Sequence, residues 1–210
     1  MGTTTNNGWP TPVATDLVKD GWEAIKDLGD AIDTTLGVYA PSTSGLTLIN
    51  TTSFSAVASQ NIQSVFSSTY DNYKIILNLT AAASSAGSIL GRIITGTSTV
   101  DTGTNYYAAS NGVNWSNGAV NQNRITQSSW IWGNVATADT GYTKFNFDVL
   151  SPNLAQYAVF LGGQSGVSAT VPYHSHGAHW HVSSAIVTGF QLFANTGTIT
   201  GTVSVYGYNK

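Results

Sequence analysis

Residues 142–150 read YTKFNFDVL. In an extended chain Phe145, Phe147 and Val149 fall on one side, and Lys144, Asn146 and Asp148 on the other, because successive strand side chains point to opposite faces. A helix would scatter the same residues around its circumference. The stretch is therefore a strand with one face in a core and one in water. The same reading extends outward to LTLINTTSF (46–54), YKIILNLTA (73–81), SILGRIITG (88–96), RITQSSWIWG (124–133), QYAVFLGG (156–163), IVTGFQLFA (186–194) and TITGTVSVYGY (198–208). All are rich in β-branched and aromatic residues. In the last, Val203 and Val205 face one way and Thr202, Ser204 and Tyr206 the other, and NTG at 195–197 signals a turn before it. About eight strands with Gly- and Asn-rich turns, and no long helical pattern among them, predict a mainly β protein. Its expected architecture is an antiparallel β-sandwich of jelly-roll type, and a parallel α/β fold is excluded.

Composition sets further bounds. The chain has 210 residues, 41% of them hydrophobic, enough for one core plus an appendage. Charged residues make up only 8%, against roughly 25% in an average soluble domain. Ser, Thr, Asn, Gln and Gly must cover the surface, a composition that leans toward extracellular or virion proteins. A net charge of −3 leaves no basic patch for phosphates and argues against a nucleic-acid partner. There is no cysteine, so the fold must do without disulfides. No apolar run approaches the roughly 18 residues of a membrane span. MGTTTNNGWP lacks the basic and apolar regions of a secretory signal. MGTTTN fits the loose myristoylation pattern without a polybasic second signal and reads as chance.

Charge divides the chain in two. Eight of the 17 Asp, Glu, Lys and Arg residues lie between positions 16 and 33, and the rest are scattered over 38–210. The boundary is expected in GVYAPSTSG (37–45), giving an extended arm over 1–14, a helix over 15–37, a linker over 38–45 and a β head over 46–210. The arm GTTTNNGWPTP is too rich in Gly, Asn and Pro to fold alone, and Trp9 beside Pro10 is an apolar anchor in need of a partner surface. Thr15 or Asp16 can cap the helix, Asp20 and Glu23 suit its positive end, and Gly37 followed by Pro41 suits its stop. Val18, Ile25 and Ile32 recur every seven residues, with Gly21, Leu28 and Thr35 beside them and Trp22, Gly29 and Leu36 flanking. That is a stripe for a short coiled coil or a docking contact, fewer than three heptads long. Trp9, Val18, Trp22, Ile25, Leu28 and Ile32 are thus the candidate anchoring and oligomerisation residues. The alternative is a helix packed on its own domain. Two internal glycines cost about 1 kcal/mol each relative to Ala and favour a closely approaching partner backbone.

Two stretches carry candidate binding chemistry. NYYAASNGVNWSNGAVNQN (105–123) places Tyr106, Tyr107 and Trp115 among seven Asn and Gln residues. Aromatic platforms beside amides suit a glycan, and the alternative is a polar loop with its aromatics pinned into the core. HSHGAHWH (174–181) holds all four histidines, His174, His176, His179 and His181. If Gly177-Ala178 is a two-residue hairpin turn, His176 opposes His179 and His174 opposes His181. All four imidazoles then share one face, with paired Cβ atoms about 4.5–5.5 Å apart. Such a cluster without a carboxylate would suit a structural divalent transition metal, Zn²⁺ or Ni²⁺. The alternative is a polar tip contacting a neighbour or solvent.

Nothing else suggests an enzyme. Outside the helix the acids are Asp71, Asp101, Asp139 and Asp148, each isolated, so the paired carboxylates of a glycosidase are missing. Asp101 in VDTG reads as a turn aspartate bonding its own backbone. There is no cysteine nucleophile, no GxSxG elbow, and no Gly-rich loop leading into a helix.

The segment NNGWPTPVATDLVKDGWEAIKDLGDAIDTTL resembles the N-terminal part of tailed-bacteriophage virion proteins of the minor tail and fibre type. The matching residues are Trp9, Pro12, Thr15 to Gly21, Ala24, Ile25, Leu28, Ile32 and Asp33. FSSTYDNYKIIL (66–77) is similar to the strand that opens their β domains, and ITGTVSVYGY (199–208) to the strand that closes them. The resemblance implies a structural, non-enzymatic virion protein: a homotrimer anchored to other virion proteins by residues 1–40, with an outward head, and contact of that head with host glycans is compatible with it. A short tail fibre or minor tail protein fits this anatomy. A capsid decoration protein or head fibre on the icosahedral shell is the alternative. In a trimer, histidines from each chain could also meet on the axis, as in the HxH metal clips of some phage fibres.

Overall fold

Phe145, Phe147 and Val149 are buried and Lys144 and Asn146 exposed, as the alternation in YTKFNFDVL requires. The computed structural model describes residues 2–5, 7–11, 13, 18–39, 45–81, 87–114, 118, 120–135, 143–168 and 171–209. The chain forms two compact units, Met1–Ser44 and Gly45–Lys210.

In the first unit the arm is not a loose extended strand. Two short strands, β1 (Gly2–Thr3) and β2 (Pro10–Thr11), pair antiparallel. The turn between them is closed by Thr4 N–H on Trp9 O (2.8 Å), Gly8 N–H on Thr4 O (3.0 Å) and Trp9 N–H on Thr4 Oγ1 (3.0 Å). A 3₁₀ turn, Val18–Asp20, leads into α1 (Gly21–Tyr39). The Trp9 indole N–H donates to Thr35 Oγ1 (2.9 Å), and Thr35 donates in turn to Ala31 O (2.7 Å). The arm's aromatic anchor is thus tied to its own helix.

Among its described residues the second unit has β-strands and no helix. Its strands are β3 (Leu46–Val57), β4 (Ser59–Ile62), β5 (Asn72–Ala81), β6 (Gly87–Thr95), β7 (Thr99–Val100), β8 (Tyr106–Asn114), β9 (Val120–Gln127), β10 (Trp130–Val135), β11 (Thr143–Leu150), β12 (Ala158–Ser168), β13 (Val171–His181), β14 (Val187–Ala194) and β15 (Ile199–Tyr208). An eight-stranded sheet runs β3-β15-β5-β11-β12-β13-β8-β9, and a five-stranded sheet runs β10-β6-β14-β4 with β7 paired to β6. Every pairing is antiparallel, and the two sheets form the expected sandwich.

One core lies between the sheets. Trp132 meets Phe147 at 4.9 Å between ring centroids and Trp130 meets Phe160 at 4.7 Å, both across the sandwich. Gly91 makes room for this packing: a Cβ there would lie 2.3 Å from Trp132 Cε2. The stretch RITQSSWIWG is not one strand. It changes sheets at Ser128-Ser129, with β9 at the edge of the large sheet and β10 at the edge of the small one. Arg92 Nε donates to Ser128 O (3.0 Å) and fixes the crossing.

Candidate assembly surface and the histidine strand

HSHGAHWH is not a hairpin. It lies inside the single strand β13, paired along its length with β12 and with β8. Gly177 marks a close approach of strands instead of a turn: a Cβ there would meet Ser110 Cβ at 2.5 Å and Ala109 O at 2.6 Å. In a continuous strand the parity of the histidines separates them. His174 and His176 face outward and are exposed, while His179 and His181 face the core and are buried. The metal reading is thereby overturned. Among the described residues no three His, Cys, Asp or Glu side chains come together where they could hold an ion.

The inward pair does something else. His179 Nε2 lies 3.1 Å from Ile131 O, and its Nδ1 lies 3.3 Å from Phe160 O. Ile131 belongs to β10 in the opposite sheet, at a register shift between Ile131 and Gly133. Burial pushes the His179 pKa down, against the pull of both carbonyls, so the ring is neutral. A neutral imidazole has one N–H, which the shorter contact assigns to Nε2. His179 therefore bridges the two sheets. Trp130 of β10 donates its indole N–H to Trp180 O (3.0 Å), and the Tyr106 hydroxyl of β8 accepts from Ile93 N–H of β6 (3.1 Å). These three polar ties fasten β13 and β8 to the smaller sheet.

His181 sits at the end of this seam with no exposed side-chain surface. Its Nε2 donates to Asp101 Oδ2 (2.7 Å), and Ser183 Oγ donates to its Nδ1 (3.1 Å). Burial lowers the His181 pKa more than Asp101 raises it. Burial opposes ionisation of Asp101, but Gly103 N–H, His181 and Asn105 outweigh it and hold the carboxyl below its ordinary value. The pair is thus a carboxylate accepting from a neutral imidazole. Aspartate, histidine and serine stand in the hydrogen-bond order of a nucleophilic triad. Yet Ser183 Oγ also accepts Ala185 N–H (3.4 Å), and the adjacent Val182 N–H is bound to Asn105 O (3.0 Å) and not open to an oxyanion. The arrangement braces the loops at 101–105 and 182–186 against β13.

The glycan stretch is also strand: 106–114 and 120–127 are β8 and β9. Tyr106 is fully buried, its ring 5.0 Å from Trp130 and its hydroxyl donating to Asp101 O (2.6 Å), so it presents no platform. Tyr107 takes the opposite face and is 41% exposed. Trp115 lies outside the described residues.

The helix residues divide between two sides of α1. Ala24 is buried and Leu28, Ala31 and Thr35 are half-buried, on the side where Trp9 is bonded. Turned from it by about 100° is a second line, Trp22, Ile25, Gly29 and Ile32, with Val18 in the 3₁₀ turn that precedes the helix. Val18 is 98% exposed, Trp22 67% and Ile25 66%, with Ile32 partly covered. A Cβ built on Gly29 would meet nothing within 4 Å, so a notch opens in the middle of this stripe. The expected cap residues Thr15 and Asp16 lie outside the described residues. The candidate residues that the sequence reading did not find are Asp101 and Ser183 beside His181, and Trp180 on the outward face of β13. Strand parity through Ser175 to His181 was the signal that could have placed Trp180 on the face opposite to His179 and His181; nothing local points to Asp101 or Ser183, which packing brings to His181.

Fold and surface together define a two-part protein: a helical unit with an exposed apolar stripe, and an antiparallel β-sandwich. No helix among the described residues is long and apolar enough to cross a membrane. No family model matches the chain, and no curated protein matches it. Among solved structures, it is similar to one described as the CBM2 module of Lactobacillus casei BL23 phage J-1 evolved Dit. The identity is 9% and the TM-score 0.23, over 72% of this chain and 69% of that one.

Proposed function

We propose that this chain is a structural, non-enzymatic virion protein of a tailed phage, in which the N-terminal unit assembles and anchors and the β-sandwich faces outward. The observation that carries this reading is the exposure of Trp22 and Ile25 on one side of α1, with Val18 in the 3₁₀ turn before it: large apolar side chains about two-thirds exposed or more. Apolar patches of this kind mark surfaces that meet a partner. The other side of the helix is already occupied by the arm, so the stripe is left for another surface. Val18, Ile25 and Ile32 keep a seven-residue spacing, which suits helix-to-helix packing, and Gly29 lets a backbone come close. The trimer follows from the resemblance of this segment to fibre-type virion proteins, as do the partners, other virion proteins contacted through residues 1–40. The low charge and the absence of cysteine fit an exposed particle protein. A short tail fibre or minor tail protein is the reading we adopt, with capsid decoration as its alternative.

The test uses whole particles. An antibody to the chain should label purified virions, at the tail for the adopted reading and over the shell for the alternative. A full-length variant with Val18, Trp22 and Ile25 all changed to Ser should fold but not join particles. Normal incorporation of that variant would contradict the anchoring role.

A further inference from the structure

We propose that the outward face of β8 and β13 carries a sugar-binding trough, with Tyr107 and Trp180 as its aromatic wall. The proposal rests on the reading of the β-sandwich as the outward unit, and it names the ligand class and the residues that would meet it.

The register builds the trough row by row. Trp180 stands directly opposite Tyr107, Ala178 opposite Ala109, and His176 opposite Asn111. Residues two apart share a face, with rows about 7 Å apart, and side chains stand nearly perpendicular to the sheet. The first row is tall and aromatic. The middle row is two methyl groups, a low floor that Leu161 of β12 continues beside Ala178. The third row is an amide and an imidazole, both exposed. Tyr107 is 41% exposed and Leu161 38%, so the trough is open to solvent.

This chemistry suits a pyranose. The ring's C–H face can lie against Tyr107 or Trp180 while its hydroxyls reach Asn111, which both donates and accepts, and His176. The six positions in the three rows are uncharged, but the middle row runs on to Arg124 of β9 beside Ala109 and to Asp148 of β11 beside Leu161, so it is the aromatic row and not a lack of charge that points to a sugar. The aromatic wall is also held in place before any ligand arrives. Trp180 O is bound by the Trp130 indole, and Tyr106, next to Tyr107, is bonded to Asp101 O and to Ile93 N–H. A preset site loses less freedom on binding. The inward histidines thus serve the outward face: they pin the strand that presents Trp180.

Saturation-transfer NMR on the full-length protein tests the proposal, with free glucose, galactose, N-acetylglucosamine and rhamnose as probes. The expected result is transfer to the ring C–H protons of at least one sugar. Affinity should fall about tenfold in Tyr107→Ala and in Trp180→Ala. Asn111→Ala should weaken binding with an unchanged melting temperature, which keeps the test valid should Trp180→Ala fail to fold. Trp22→Ala, on the helix, should leave transfer intact. No transfer from any of the four sugars overturns the proposal, as does transfer unaffected by Tyr107→Ala and Asn111→Ala. A change of sedimentation in Tyr107→Ala without sugar binding would make this face a protein interface and also overturn it. Sugar binding is read on the free protein and anchoring on particles, so either can fail alone.

Discussion

His181 and Asp101 are 80 residues apart in sequence, and their Nε2 and Oδ2 atoms lie 2.7 Å apart. Their bond joins the end of β13 to the turn before β8. Asp101→Asn keeps the size of the side chain and removes its charge. It should cost about 1–3 kcal/mol, because the fully enclosed imidazole loses a charged acceptor. Urea unfolding of the two proteins at neutral pH checks this, and a difference under a few tenths of a kcal/mol would mean the brace contributes nothing.

Acid should weaken the fold before the carboxylates titrate. Burial holds both His179 and His181 below their ordinary value of 6.5. The unfolded chain takes up protons near that value and the folded chain resists them. Stability is therefore full above pH 6.5 and falls as pH drops below it, by up to about 1.4 kcal/mol per pH unit for each histidine. Asp101 acts lower on the scale: its stabilising effect is present above its ordinary 3.8 and lost as pH falls through its lowered value. Unfolding free energies from pH 7.5 to 5 should show the first decline. The slope should shrink in His179→Gln.

Tyr106→Phe isolates a single tie between the sheets. The change removes only the hydroxyl and leaves the Ile93 N–H without it, at an expected cost of about 1–3 kcal/mol. Thermal melting should drop with the ring packing retained in near-UV circular dichroism. Unchanged melting would show that the hydroxyl does not hold the sheets together.

Much of this architecture was legible in the sequence, and the failures have particular causes. Alternation located β11 and β15 because each is buried on one face and wet on the other. RITQSSWIWG misled because it is apolar at its end and polar at its start, and nothing local says that the two halves join different sheets. HSHGAHWH misled through Gly177, which has the composition of a turn but answers to the approach of β8. Only the pairing of β13 on both sides settles that, and pairing is a long-range fact. The polar stretch 105–123 concealed two strands because Asn, Ser and Gly carry weak strand preference. The helix stripe was readable by period alone, whereas the return of the arm onto the other side of the helix depends on Trp9 meeting Thr35 across 26 residues.

Chelator should leave the protein as it is. His179 and His181 have their ring nitrogens against protein atoms, and His174 and His176 lie on the opposite face of β13, with His174 Nδ1 3.0 Å from Ser165 Oγ. Melting in the presence of EDTA is expected to match melting without it, and metal analysis should find no stoichiometric ion. A fall in melting temperature on chelation would refute this placement of the four rings.

The bare stripe of α1 is the central claim, and sedimentation equilibrium of the full-length protein tests it most directly. Wild-type protein should sediment as three chains, and Trp22→Ser with Ile25→Ser should sediment as one, with an unchanged β circular-dichroism spectrum. A wild-type protein that remains a single chain at every concentration, or a double variant that still sediments as three, would contradict it.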